Sequence, residues 1–221
     1  EVHEALGNFE QALAFYKQFH TAYQRQMGDV TRRRAQLVEM QLQTRKLQAR
    51  AAVFEEQAGH DALTGLPNRR RFDAAIAELH GTRFCLGILD LDHFKAVNDS
   101  YSHLVGDAVL RRAADLLGGL GGGMRAFRLG GEEFALLFPD LDIRPAAAVA
   151  EAVREAFSHA DWSDLGPGLR VTASIGLAAA TRGAEQAELM AIADRRLYRA
   201  KAQGRDRIVA SDAIEEMDLP A

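Results

Sequence analysis

Over residues 9–58 the chain carries apolar or small residues at alternating spacings of three and four, and nothing else in it narrows the fold so far. Phe9, Ala12, Tyr16, Phe19, Tyr23, Gln26, Val30, Arg33, Leu37, Met40, Thr44, Leu47, Ala51, Phe54 and Ala58 make a heptad seam with a few polar interruptions. From Leu37 to Ala58 the seam is nearly all apolar or small, and Gln, Arg, Lys and Glu flank it. A parallel two-stranded coiled coil has this pattern, so residues 1–58 are expected to form one long helix that pairs with a second copy of the chain. The alternative is one amphipathic helix packed on its own domain, which needs fewer consistent heptads than are present. Gly28-Asp29 is expected to loosen the helix partway along.

At 221 residues the chain accommodates one well-buried domain beyond this extension. Its 27 basic and 31 acidic residues give a formal charge of -4, which argues against a duplex nucleic-acid binder with a basic face. Any anionic ligand is then held by local groups. The single cysteine, Cys85, lies in an apolar run, so there is no disulfide framework and a cytoplasmic location is expected. No apolar stretch is long enough to span a bilayer and no signal pattern opens the chain, so no membrane contact is expected of this piece. It begins at Glu1, in mid-pattern and without an initiator methionine, and is expected to be part of a longer protein. Gly7-Asn8-Phe9-Glu10-Gln11-Ala12-Leu13, followed by Tyr16 and Phe19, resembles the second helix of a tetratricopeptide repeat. Half a repeat cannot bury its own face.

After Ala58 the periodicity stops, and Gly65, Pro67 and Asn68 supply the punctuation of a turn and a new helix start. A second domain is expected over 59–212, with a tail at 213–221. The pattern predicts helices over 69–79, from Phe94, over 107–117, 145–159 and 187–203, and a glycine-rich turn at 118–123. It predicts strands over 83–90, 125–129, 133–138, 170–177 and 207–210, the second and third joined in a hairpin at Gly130-Gly131. Hairpins mixed with helices indicate an α+β sandwich rather than a doubly wound sheet.

Two features carry chemistry. Strand periodicity puts Asp90 and Asp92 on one side at the end of an apolar strand. The hairpin tip adds Glu132 and Glu133 after two glycines that permit a tight turn and close approach of a ligand to the backbone. Oxygen-only clusters suit Mg²⁺ or Mn²⁺ rather than zinc, and a hard cation implies phosphate. Taken singly, the aspartates read equally as solvated loop acids and the glycines as an ordinary hairpin.

Together these segments resemble the GGDEF family of diguanylate cyclases in its GGEEF form. The resemblance rests on Leu89-Asp90-Leu91-Asp92-His93-Phe94-Lys95-Ala96-Val97-Asn98-Asp99, Gly106-Asp107 and Arg128-Leu129-Gly130-Gly131-Glu132-Glu133-Phe134, in that order. The leading Asp61-Ala-Leu-Thr-Gly-Leu-Pro-Asn-Arg69, the segment Thr172-Ala-Ser-Ile-Gly176 and the closing run from Ala193-Asp194 to Gly204-Arg205 extend it over residues 60–210. It implies a mostly antiparallel sheet flanked by helices, related to the palm of polymerases and to nucleotide cyclases, that condenses two GTP into cyclic di-GMP. It implies that Asp90, Glu132, Glu133 and the Leu91 carbonyl hold the metal ions, with Asp92 the less secure ligand. Asn98 and Asp107 would read the guanine edge. Lys201 and Arg205, four apart at a helix end, would meet the terminal phosphates, as would backbone amides around His93, Phe94 and Lys95. Glu133 is the candidate for assisting deprotonation of the 3′-hydroxyl.

Each domain would bind one GTP, so two phosphodiester links would require two domains facing each other, which gives the heptad seam a purpose. The inhibitory RxxD site of many members falls here on Gly121 and Met124, so product inhibition through it is expected to be weak or absent. Ser102-His103-Leu104 departs from the usual Gly-His-Asp, and Arg196 stands where a small residue is common. The rival readings are a silent GTP-binding regulatory domain, a cyclase making an adenine-containing hybrid, which Asp107 argues against, and an inert coiled-coil adaptor.

Overall fold

A computed structural model of the chain describes residues 9–121, 123–180 and 185–211, and within the first helix the side chains of 28–37 and 49–57 are left undescribed. Seam positions Val30, Arg33, Leu37, Ala51 and Phe54, the opening Gly7-Asn8 and the 213–221 tail therefore lie outside the described residues or side chains. The chain divides into two compact units at Gln57/Ala58.

The first is α1 (Phe9–Gln57), 49 residues and, at about 1.5 Å per residue, roughly 73 Å long. It runs without a break through Gly28-Asp29, so the loosening expected there does not occur. One helical glycine costs only about 1 kcal/mol relative to alanine, too little to stop a helix of this length. The seam residues Phe9, Tyr16, Phe19, Tyr23, Met40 and Leu47 are each 52–69 % exposed. Tyr16 stacks on His20 and Phe19 on Tyr23, one turn apart.

In the second unit α2 (Arg69–Glu78) is followed by β1 (Phe84–Leu91), α3 (Phe94–Tyr101), α4 (His103–Gly119) and the hairpin β2 (Arg125–Gly130) and β3 (Glu133–Pro139). Then come α5 (Ile143–His159), β4 (Ala173–Ala179), α6 (Gln186–Ala202) and β5 (Ile208–Val209). The strands form one sheet in the order β2-β3-β1-β4-β5, antiparallel except for the β4–β5 pair. β1 is central because all eight of its residues are apolar enough, or well enough paired, to be buried on both faces. Phe84, Leu86 and Ile88 pack with Phe72, Ile76, Leu189 and Leu197 of α2 and α6, while Cys85, Leu89 and Leu91 join Val109, Leu110, Val153 and Phe157 of α4 and α5. The unit is thus an α+β sandwich with helices on both faces.

Some boundaries differ from expectation. α4 begins at His103, four residues before Asp107, because Ser102 caps it with its hydroxyl toward the Val105 amide. It then continues through Gly118 and Gly119, which shortens the glycine-rich turn. β4 starts at Ala173 rather than 170 and runs on to Ala179. At Gly176 the backbone of α6 lies so close that a Cβ would overlap the Ala193 carbonyl and the Leu197 amide. That contact fixes α6 against the sheet beside the end of β1.

Candidate active site

The one charged residue of β1 stands next to its last. Asp90 is 6 % exposed and stands opposite Glu133 on β3 and Ser174 on β4. Residues directly opposite in an antiparallel pair share a face, so the two carboxylates confront each other, an arrangement that is unfavourable without a cation. Lys201 at the end of α6 supplies one, with Nζ 2.8 Å from Asp90 Oδ2. Burial pushes the Asp90 carboxyl above the usual carboxylate range; the Lys201 hydrogen bond and charge pull against that, and the negative Glu132 and Glu133 add to it.

Asp92 is held differently from Asp90. It lies beyond the last residue of β1, and its oxygens accept from Thr172 Oγ1 at 2.8 Å, Ser174 Oγ at 2.7 Å and the Asp206 amide at 3.0 Å. A carboxylate so occupied is a structural acceptor. Ser174 stands opposite Asp90 and also donates to Asp92, so the two aspartates lie on one face as strand periodicity suggests, but Asp92 spends its oxygens on these neighbouring donors.

The hairpin tip is built as its glycines suggest, with Gly130 at φ +148° and Gly131 at φ +53°. Arg128, whose side chain is 10 % exposed, donates through Nη2 and Nε to the Gly131 carbonyl and through Nη1 to Asp61 Oδ1 at 2.6 Å. Asp61 also accepts from the Thr64 amide and hydroxyl. Burial works to raise the Asp61 carboxyl, but its bonds to Arg128 and Thr64 outweigh that and hold it below the usual range. The Leu91 amide donates to the Glu132 carbonyl, which ties the tip to the end of β1. Sequence reasoning quoted Asp61 and Arg128 within its motifs and gave them no role; opposite charges in two motif segments were the available signal.

Asn98 on α3 and Asp107 on α4 are brought together through Gly106, where a Cβ would collide with the Asn98 side chain. Phe94 is buried and Lys95 exposed at the start of α3. His93 precedes them at φ +56°, and the helix ladder begins with Ala96 and Val97 donating to its carbonyl. The Phe94 and Lys95 amides therefore come before the ladder and have no intrahelical acceptor. Arg205 departs from expectation. α6 ends at Ala202, and Gly204, Arg205 and Asp206 all have positive φ, so Lys201 and Arg205 do not share a helix face. The i,i+4 rule lapses where the helix does.

Among the described residues no three His, Cys, Asp or Glu side chains are gathered as a metal cluster. The donors at hand nonetheless fit a hard cation: Asp90, Glu132, Glu133 and the Leu91 carbonyl offer only oxygen, and the facing Asp90 and Glu133 gain from a positive charge between them. Beside them a cavity of about 270 Å³ is lined by Arg69, Glu133, Asp194, Tyr198 and Lys201 among others. Burial raises the Asp194 carboxyl against the opposing charge of Arg69. Cys85 is buried and donates to the Leu141 carbonyl, and burial, helped by the charge of Asp142, pushes its thiol up to about 11, so it is inert.

With this geometry in view, residues 58–207 match the family described as "Diguanylate cyclase, GGDEF domain". The chain belongs to the GGDEF family of diguanylate cyclases. It is 40 % identical over 174 residues to diguanylate cyclase VdcA of Vibrio cholerae, covering 76 % of this chain and 51 % of that protein. It is 34 % identical over 176 residues to the probable diguanylate cyclase DgcT of Escherichia coli, covering 76 % and 39 %. The chain thus spans about half or less of the length of these relatives. Among solved structures it resembles the coiled coil and GGDEF domain of DgcB from Caulobacter crescentus in complex with c-di-GMP, at TM-score 0.70 and 33 % identity, covering 79 % of this chain and 97 % of that one. It also resembles diguanylate cyclase SiaD in complex with its activator SiaC from Pseudomonas aeruginosa, at TM-score 0.66 and 29 % identity, covering 93 % and 85 %. No helix among the described residues is long and apolar enough to cross a membrane.

Proposed function

We propose that this chain condenses two GTP into cyclic di-GMP and two pyrophosphates, as a homodimer joined through residues 1–58, with the catalytic domain at 59–212, in the cytoplasm where GTP is at hand. The observation that carries this reading is the facing pair Asp90 and Glu133 at the end of the central strand, with Lys201 2.8 Å from Asp90. An acidic pair beside a cation that phosphate can claim suits a triphosphate better than any uncharged substrate.

Asp90, Glu132, Glu133 and the Leu91 carbonyl would hold Mg²⁺ or Mn²⁺, and the ion when bound supplies neutralisation of triphosphate charge. Asn98 and Asp107 read the guanine, where a carboxylate accepts from N1–H and the exocyclic amine and an adenine offers the wrong pattern. Lys201, Arg205 and the Phe94 and Lys95 amides hold the phosphates. In each transfer the 3′-hydroxyl of one GTP attacks the α-phosphorus of the other. A new P–O bond forms, the bond to the β-phosphate oxygen breaks, and pyrophosphate leaves. Glu133, exposed at the tip, takes the hydroxyl proton in this reading. The reaction occurs twice, once in each direction. Gly121 and Met124 provide no guanidinium or carboxylate for product at the RxxD position, so product held there does not restrain the reaction.

The test is incubation of the chain with GTP and Mg²⁺ beside a Glu132→Ala/Glu133→Ala variant, with products identified by mass. Cyclic di-GMP from the parent alone is expected. GTP bound by the parent without turnover would instead make the domain a silent regulator.

A further inference from the structure

Arg205 sits in backbone that an L residue rarely adopts. Its φ is +64° and that of Asp206 is +45°, just after Gly204 at +118°. Two successive non-glycine residues in the left-handed region persist only where their surroundings hold them. Here the holding groups can be named. The Arg205 amide donates to the Ala200 carbonyl at 3.0 Å, the Arg207 carbonyl accepts from the Ile175 amide at 2.9 Å, and the Arg205 carbonyl accepts from Arg207 Nε at 3.1 Å. The Asp206 amide donates to Asp92 Oδ2 at 3.0 Å, and the Asp206 carboxylate accepts from Arg154 Nη1 of α5 at 2.7 Å. Both anchors are themselves fixed. Asp92 is bound by Thr172 and Ser174, and Arg154, whose side chain is 16 % exposed, donates from Nε to Glu151 at 2.8 Å.

The guanidinium of Arg205 stands apart from this network, with no hydrogen bond or ion pair to another described residue. Its backbone is fully committed while its charge is unspent. We propose that Asp92 and Arg154 are positioning residues for triphosphate binding: from opposite sides they lock residues 204–206 in a left-handed turn that presents Arg205 to the terminal phosphates. The inference rests on the reading of Arg205 as a phosphate-binding residue. It gives Asp92 a function other than metal ligation and brings in α5, whose residues otherwise serve the core.

The test uses the full chain with Mg²⁺ and two probes that are not turned over: a GTP analogue with a methylene α,β bridge, and GMP, which has a single phosphate. Arg205→Ala and Arg154→Ala are each expected to weaken the analogue about tenfold, the scale of one charge-assisted contact, and to leave GMP unchanged. The double variant binds no more weakly than Arg205→Ala alone, since both remove one interaction. Arg154→Lys, which can still donate to Asp206, recovers most of the loss, and Asp92→Asn, which turns an acceptor into a donor, shows the same split between probes. If Arg205→Ala leaves the ratio of analogue to GMP affinity unchanged, the phosphate reading of Arg205 is lost. If Arg205→Ala behaves as expected but Arg154→Ala weakens both probes equally, or adds its full loss to that of Arg205→Ala, Arg154 only stabilises the fold and the positioning role is overturned.

Discussion

Asp61 and Arg128 show how a single pair fixes the hairpin tip from outside the proposed site. Arg128 is nearly buried, spends two donors on the Gly131 carbonyl and one on Asp61, and so holds the tip that carries Glu132 and Glu133. Asp61→Asn leaves a buried guanidinium without its counter-charge and is expected to cost about 2 kcal/mol, below the figure for fully buried pairs because Asp61 is partly exposed. The sign with pH follows from the depressed carboxyl. Its contribution is full above the ordinary aspartate pKa and is lost as pH falls through the lower folded value, so urea unfolding of parent and variant should converge on acidification. A gap that persists in acid would assign the loss to packing. This pair and the Asp90–Lys201 contact were not legible in the sequence, nor were the donors to Asp92. They join residues as much as 80 and 114 positions apart, and spacing rules reach only a few residues. The acids themselves were legible, because glycine punctuation and an otherwise apolar strand are local signals.

At the level of elements, two junctions set where the site residues fall. β4 and α6 meet backbone to side-chain-free backbone at Gly176, and α6 carries Lys201 to Asp90. Gly176→Ala forces the helix off the sheet. A cost of about 3 kcal/mol is expected, the upper end for overpacking because rigid backbone must move, together with loss of the contribution proposed for Lys201 in nucleotide binding. Denaturant midpoints and GTP-analogue affinity measure the two effects, and unchanged values in both would mean that the helix yields freely. The corner between α3 and α4 behaves oppositely. Ser102 holds φ +123° and ψ +163°, a region that favours glycine, and its cap to Val105 is long at 3.5 Å. Glycine caps only a few tenths of a kcal/mol less well than serine. Ser102→Gly is therefore expected to stabilise the chain by about 1 kcal/mol in urea unfolding, and a loss would show that the hydroxyl outweighs the strain. The sequence marked both places, one as a motif glycine and one as a departure, but only the backbone angles and the close helix give them a sign.

For the whole molecule the question is why a domain with its own two-sided core is attached to a helix of 49 residues that exposes its aromatic seam. The proposed chemistry answers it. A domain that holds one GTP can form neither phosphodiester link alone, so its rate depends on how often a second domain is presented. Two copies linked through α1, as proposed, would make that encounter intramolecular, at effective concentrations that reach the millimolar range for short connections. Removing residues 1–57 should leave a unit that still binds the GTP analogue, because the pairing of Asp90 with Lys201 and Glu133 lies wholly within it. Its specific activity should fall in proportion to protein concentration on dilution, while that of the parent stays level until the helix pair dissociates. At submicromolar protein the two should differ by about a hundredfold or more. Cyclic di-GMP formation followed across a dilution series decides the point. Identical slopes for both proteins would detach the helix from catalysis and leave the exposed seam to some other contact.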